Sequence, residues 1–135
     1  MVLSNPPWEQ VQLSEEEFFA TRDPSVSRAT GSERKRLISL LRQTNPGLYE
    51  EYERVLRNSQ TERLVYSASG RFPFTARGKI NTYAVFAELV RALLAPRGRA
   101  GIIVPTGIAT DHTTSEFFAD LVARRSLVSL YDFEN

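Results

Sequence analysis

The hydrophobic pattern of the chain is mainly helical. Apolar residues recur every three or four positions in several segments, as they do on the buried face of an amphipathic helix. Together with the capping residues in front of them, these patterns predict helices after Ser14, over residues 33–43, from Pro46 toward residue 67, from Asn81 to residue 94 and after Thr113. The segments 21–32 and 70–79 are interrupted by Gly and Pro and are therefore predicted to be loops.

Three short apolar runs predict β-strands. Residues 1–4 end at a Pro-Pro pair, where a strand must stop because proline has no N–H for the ladder. Residues 101–104 are continuously apolar, as in a strand buried on both faces, and residues 127–133 form a further β-rich run. Strands that alternate with helices predict an α/β fold with a parallel sheet. Three strands are few for such a sheet, so we expect the chain to be one piece of a larger domain.

The composition excludes several classes of site. The 135 residues contain no Cys and one His, His112, which excludes disulfides, a Cys nucleophile and a His-based zinc centre, so no metal site is predicted. No apolar run approaches the roughly 20 residues that cross a bilayer, and the amino-terminal residues lack the pattern of a secretion signal. We therefore expect a cytoplasmic protein without a membrane partner.

The charges are unevenly distributed although the net charge is only +1. The segment from Arg54 to Arg99 contains nine basic and two acidic residues, which gives it a charge of +7. Residues 9–23, in contrast, contain five acidic residues and one Arg. Such asymmetry favours a polyanionic partner without specifying which one.

The motif most informative about chemistry is Asn5-Pro6-Pro7-Trp8. It follows the first predicted strand and precedes a helix-capping signal. A rigid turn between strand and helix would need the two prolines but neither Asn5 nor Trp8 in particular. An amide oxygen and an indole ring beside two rigid prolines instead indicate a small binding site.

On these residues the chain resembles the amino-methyltransferases that use S-adenosylmethionine, whose catalytic motif is an Asn, Asp or Ser followed by Pro-Pro and an aromatic residue. Residues 99–107 look like the next strand of the adenine-specific DNA enzymes, and the whole chain is similar to the large fused restriction-modification and phage-defence adenine methylases. The resemblance implies a partial Rossmann-like methyltransferase fold of about three parallel strands with flanking helices. Residues 1–135 would be a carboxyl-terminal-side piece of the catalytic domain, with residues 9–70 as a helical insertion.

The resemblance also implies S-adenosylmethionine as cofactor, double-stranded DNA as substrate, and Asn5, Pro6, Pro7 and Trp8 as the catalytic residues. An adenine amine is a poor nucleophile because its lone pair is delocalised into the ring. The Asn5 side-chain oxygen and the Pro6 carbonyl can accept its two N–H bonds and favour a pyramidal nitrogen, which is positioning and electrostatic preorganisation. The ring of Trp8 offers a face on which a flipped base can stack.

Other parts of such an enzyme are expected outside this chain. The family binds its cofactor through a glycine-rich loop that would precede Met1, and neither Gly98 nor Gly78 lies in a suitable context to replace it. We therefore expect the isolated chain to be inactive and to depend on the remainder of its parent polypeptide. Exposed strand edges would also favour non-native dimers of the isolated chain.

The predicted loop 70–79 is a second candidate, because the aromatic residues Phe72 and Phe74 alternate with the cations Arg71, Arg77 and Lys79. In the functional interpretation the three cations contact the DNA backbone. In the alternative the two rings are core residues and the cations are only solvated.

Two alternative functions remain at the sequence level. Release-factor glutamine methyltransferases also use an Asn-Pro-Pro-aromatic motif, although the helical segment after Ser14 and the basic loop favour DNA. In the other alternative the chain is a non-enzymatic helical interaction module and the Pro-Pro-Trp sequence is structural.

Overall fold

A computed structural model describes residues 1–133 of the chain. Over these residues the protein is of mixed α/β class and mostly helical, with one sheet of two short parallel strands. In chain order the elements are β1 Val2–Ser4, α1 Glu15–Ala20, α2 Pro24–Arg28, α3 Gly31–Thr44, α4 Pro46–Ala68, α5 Thr82–Leu93, β2 Ala100–Ile102, α6 Gly107–Thr110 and α7 Ser115–Ala123. A single 3₁₀ turn, His112–Thr114, separates α6 from α7.

The chain divides into two compact units. The helical unit comprises Gln12–Glu62, and the sheet unit comprises Met1–Val11 together with Arg63–Asn135. The core of the helical unit is built around three aromatic rings, with the Phe18 and Phe19 centroids 4.9 Å apart edge to face and Tyr52 tilted against both. The other buried members of this core are Val26, Ile38 and Leu41.

The predicted helix starts in the helical unit are largely confirmed. The Ser14 hydroxyl accepts a hydrogen bond from the Glu17 N–H at 3.3 Å, and the Asn45 side chain accepts one from Leu48 N–H at 3.2 Å. The prediction of a loop over residues 21–32 is wrong in part, since α2 lies within it. The Asp23 side chain accepts from the backbone N–H groups at the start of α2, and the proline that follows fits the first turn, so a local capping signal stabilises this short helix.

The sheet unit contains the parallel pair and most of the apolar burial around α5. Strands β1 and β2 pair with Val2 opposite Ala100 and Ser4 opposite Ile102, which confirms a parallel sheet. Seven of the twelve residues of helix α5 are buried, and the helix contributes to two clusters, one with α6 and α7 and the other with Val11 and Ile80. This helix is therefore the central element of the sheet unit.

The prediction of a third strand over residues 127–133 is wrong, because the structure forms no strand there. A strand requires a neighbour that offers N–H and C=O groups, and in the described residues only β1 and β2 pair with each other. Several apolar side chains of the segment are therefore exposed, with Phe133 at 86%. The expectation that β2 is buried on both faces is also wrong, since the strand ends at Ile102 and Ile103 is 63% exposed.

The predicted cap of the last helix is wrong as well. We expected Thr113 to begin it, but α7 begins at Ser115 and is preceded by Thr114, whose side chain makes no capping bond. The Thr114 hydroxyl instead donates to the Gly107 carbonyl at 2.6 Å, so tertiary contact outcompetes the local signal. No helix among residues 1–133 combines the length and the apolarity that crossing a bilayer would require.

Candidate functional site

The Asn-Pro-Pro-Trp sequence forms a loop directly after β1, here called the Pro-Pro loop and defined as residues 5–8. Strand β1 ends at Ser4, and the Ser4 carbonyl accepts a hydrogen bond of 3.0 Å from the N–H of Ile103, just beyond β2. Because parallel strands end at the same edge of a sheet, the Pro-Pro loop lies beside the segment 103–107.

The residues of the Pro-Pro loop differ in burial. Pro6 is buried, whereas Asn5 and Pro7 are exposed and Trp8 is 55% exposed. The Asn5 amide and the indole therefore do not belong to a packed interior. The loop is anchored by one proline and presents a polar group and a flat ring to its surroundings.

Thr82, the first residue of α5, holds the far end of the loop. Its hydroxyl donates to the Pro7 carbonyl at 2.7 Å and accepts from the Glu9 N–H at 3.0 Å. Its own N–H donates to the Glu9 carbonyl at 2.9 Å, and two residues further on Val11 N–H donates to the Ile80 carbonyl at 2.9 Å. Residues 7–11 therefore run antiparallel to the chain entering α5.

These bonds decide which acceptors of the Pro-Pro loop are available. The Pro7 carbonyl is occupied by Thr82. Within residues 1–133 no donor is bonded to the Asn5 side chain or to the Pro6 carbonyl. The two acceptors predicted to bind a substrate amine, the Asn5 side chain and the Pro6 carbonyl, are thus among those that the fold leaves open.

On the β2 side of the same edge, Tyr83 and Asp111 form a polar pair over Gly107. The buried Tyr83 hydroxyl is hydrogen-bonded to Asp111. The pKa of Tyr83 is raised above its ordinary value, mainly because the side chain is buried and in addition because the Asp111 carboxylate lies nearby. A Cβ on Gly107 would lie 2.5 Å from an Asp111 carboxylate oxygen and 3.0 Å from the Tyr83 hydroxyl. A larger residue at this position would require the Asp111 and Tyr83 side chains to shift. The Asp111 side chain makes no capping bond to the 3₁₀ turn that follows it.

The aromatic residues of the segment 70–79, the basic loop, are core residues. Phe72 packs with Val11 and Ile80 and meets Tyr66 edge to face with centroids 5.8 Å apart, while Phe74 packs against the cluster around Tyr83. The core interpretation of the two rings is therefore confirmed.

A buried carboxylate on α5, Glu88, orders the basic loop. Its two oxygens accept from Phe74 N–H at 3.2 Å, from Thr75 N–H at 3.0 Å and from the Thr75 hydroxyl at 2.6 Å. Glu88 is only 5% exposed, so these bonds replace its lost hydration. This role of Glu88 could not be predicted from the sequence, because nothing in its local pattern distinguishes it from a solvated helix residue.

The three cations of the basic loop are exposed but not equivalent. Arg77 is ion-paired with Glu116 at 2.5 Å, which neutralises part of its charge. The head groups of Arg71 and Lys79 have no acidic partner in the described residues. Two of the three cations assigned to DNA are therefore available to a phosphate.

A separate open cavity of about 710 Å³ lies on the helical unit, along α4. Its charged lining mixes both signs: Arg42, Arg54 and Arg57 with Glu50, Glu51 and Glu53. A mixed lining gives no preference for an anion, and no cluster of three metal-ligating side chains occurs among residues 1–133. The Pro-Pro loop thus remains the candidate site.

No protein-family model, curated protein or solved structure matches the chain.

Proposed function

We propose that the chain is the catalytic-motif portion of a site-specific DNA adenine methyltransferase. The observation that supports this most directly is the state of the Pro-Pro loop: Asn5 and the Pro6 carbonyl are unbonded acceptors beside an exposed indole. Two acceptors on a rigid loop match the two N–H bonds of an exocyclic amine, and the ring matches a base that has left the duplex.

In this proposal the chain acts on the amine through position and charge. The Asn5 side-chain oxygen and the Pro6 carbonyl each accept one N–H bond of the adenine amine, which localises the nitrogen lone pair on the side away from these acceptors. Trp8 stacks on the flipped base. The stacking contributes about 1–3 kcal/mol, which offsets part of the free-energy cost of extruding the base from the duplex. The neutral amide of Asn5 suits an amine that loses a proton after methylation.

The described residues do not fit S-adenosylmethionine. A cofactor cradle needs a glycine after a strand, with open space over its Cα. After β2 the first such glycine is Gly107, and the space over it is filled by Asp111 and Tyr83; Gly101 lies within β2 against Leu3. We therefore propose that the methyl donor is bound by another part of a longer polypeptide and that this chain alone binds it poorly. Low-micromolar cofactor binding by the isolated chain in calorimetry would contradict this.

The exposed sheet supports the same proposal. Leu3 on β1 is 73% exposed, and the apolar segment 127–133 lacks a strand partner. Because a two-stranded sheet is marginal by itself, we propose that further strands of the parent polypeptide complete it. We further propose that the complete domain has a Rossmann-like methyltransferase fold and that residues 9–70 are a helical insertion in it. In this proposal the protein is cytoplasmic.

The free cations favour DNA over a protein substrate. Arg71 and Lys79 are exposed and uncompensated within the sheet unit, and they would contact backbone phosphates.

The parent polypeptide, supplied with S-adenosylmethionine, should form N6-methyladenine in duplex DNA and should lose this activity with Asn5→Ala. Methylation of a release-factor glutamine instead of DNA would establish the alternative substrate, and activity unaffected by Asn5→Ala would overturn the proposed site.

A further inference from the structure

We propose that Thr82 is a positioning residue for the Pro-Pro loop and that it sets the orientation of Trp8. The bonding scheme stands on the geometry of this chain alone. Its catalytic consequence rests on the function proposed above, so the two are tested separately.

The oxygen of Thr82 bonds to the peptide groups on both sides of Trp8. It donates to the Pro7 carbonyl, which belongs to the peptide before Trp8, and accepts from the Glu9 N–H, which belongs to the peptide after it. One hydroxyl thereby restricts both backbone dihedrals of Trp8. Thr82 is only 8% exposed, so water does not compete freely for these bonds.

This arrangement explains how an exposed ring can be held ready for a ligand. An aromatic residue is usually fixed by packing its ring, which removes the ring from use. Here the backbone is fixed from behind by Thr82, while the indole stays 55% exposed. A side chain on a fixed backbone loses less freedom when a base stacks on it, so binding is stronger than with a mobile loop.

The same hydroxyl selects the acceptor of the loop. By occupying the Pro7 carbonyl, Thr82 removes one of the two proline carbonyls from competition and leaves the Pro6 carbonyl open, next in sequence to Asn5. Loss of the hydroxyl would free the Pro7 carbonyl and leave two adjacent carbonyls to compete for one amine proton.

The test uses two variants and a matched control. Thr82→Val removes the hydroxyl at nearly constant shape, and Thr82→Ser keeps it. Thr44→Val removes an exposed helical hydroxyl that bonds only to the Leu40 carbonyl. In this chain we expect the Glu9 amide to exchange its hydrogen at least tenfold faster in Thr82→Val, and at nearly the wild-type rate in the other two. Because Trp8 is the single Trp, its fluorescence anisotropy should fall in Thr82→Val alone.

Each outcome decides one of the two claims. The bonding scheme is overturned, whatever the enzyme does, if the Glu9 amide of the unsubstituted chain exchanges its hydrogen without protection. It is also overturned if Thr82→Val leaves the exchange rate of this amide unchanged. The measurement on the unsubstituted chain tests the scheme even if Thr82→Val fails to fold. In the parent methyltransferase we expect Thr82→Val to lower kcat tenfold or more with little change in KM for DNA, and Thr82→Ser to restore it to within threefold. If Asn5→Ala is inactive but Thr82→Val has a normal kcat, the positioning role of Thr82 is overturned. Unchanged activity in Asn5→Ala would instead overturn the proposed function and leave the scheme intact.

Discussion

The Pro-Pro loop and the basic loop are both fastened to α5, and each is held by one side chain of that helix. Thr82 binds the backbone around Trp8, and Glu88 binds the N–H groups of Phe74 and Thr75. In the basic loop the rings are packed and the cations are exposed, whereas in the Pro-Pro loop the ring itself is exposed. Aromatic residues in these two irregular segments therefore differ in their surroundings: those of the basic loop are packed, and the ring of the Pro-Pro loop is accessible to a ligand.

The largest effect should come from the polar group of the Pro-Pro loop. Under the proposed function, Asn5→Ala in the parent polypeptide removes one of the two acceptors of the substrate amine, and loss of one preorganised polar group costs about 10²–10³-fold in rate. Methyl transfer to duplex DNA measures this, with Asn58→Ala on the exposed side of α4 as control. Equal activity of the two variants would mean that the Pro-Pro loop does not contact the substrate.

The next effect should come from the carboxylate that holds the basic loop. Glu88→Ala leaves two backbone N–H groups and the Thr75 hydroxyl without their acceptor, so we expect the free energy of unfolding to fall by about 2–4 kcal/mol. Urea unfolding of this chain measures the change. Glu116→Ala removes an exposed carboxylate paired with Arg77 and should cost less than about 1 kcal/mol. If Glu88→Ala lowers the free energy of unfolding no more than Glu116→Ala does, the hydrogen bonds of the buried Glu88 do not stabilise the basic loop as proposed.

A reciprocal pair of ring deletions compares the two loops directly. Phe72→Ala should lower the free energy of unfolding by about 2 kcal/mol, because the ring is partly buried in a core cluster. Trp8→Ala should change stability by less than about 0.5 kcal/mol, as an exposed substitution does. In the parent enzyme Trp8→Ala should nevertheless lower kcat/KM for DNA about tenfold, since a stacking contact is lost. If Trp8→Ala destabilises the chain as much as Phe72→Ala does, the indole is structural.

The smallest effect should appear in the salt dependence of the DNA binding that we propose for the parent polypeptide. Replacing both Arg71 and Lys79 with Gln should reduce the slope of log K against log salt by about 0.9 for each phosphate contact that is lost. Arg77→Gln should reduce it less, because Glu116 already compensates this cation. An unchanged slope in the double variant would show that the basic loop is only solvated.

Local signals in the sequence were reliable where the bonding partner is near in sequence. The Ser14 and Asn45 caps are followed by their predicted helices, and β1 stops at its prolines. Expectations from the sequence were wrong where groups outside the local segment decide. Residues 127–133 have strand-like composition but no neighbour to pair with in the described part of the chain, and Thr114 bonds to Gly107, seven residues earlier, instead of capping α7. The α2 helix was missed for a different reason, because its Asp-Pro start lay in a segment rich in loop formers.

The sequence by itself determined the longer helices, the parallel direction of the two strands that form and the position of a rigid Pro-Pro turn after the first strand. These follow from hydrophobic periodicity, capping residues and the missing N–H of proline, all of which act over a few residues. Only the tertiary structure decided that Phe72 and Phe74 are packed while Trp8 is exposed, and that Thr82 and Glu88 hold the two loops. Thr82 meets Pro7 across 75 positions of the chain, and a contact at that separation depends on the tertiary packing that brings the start of α5 to the loop after β1.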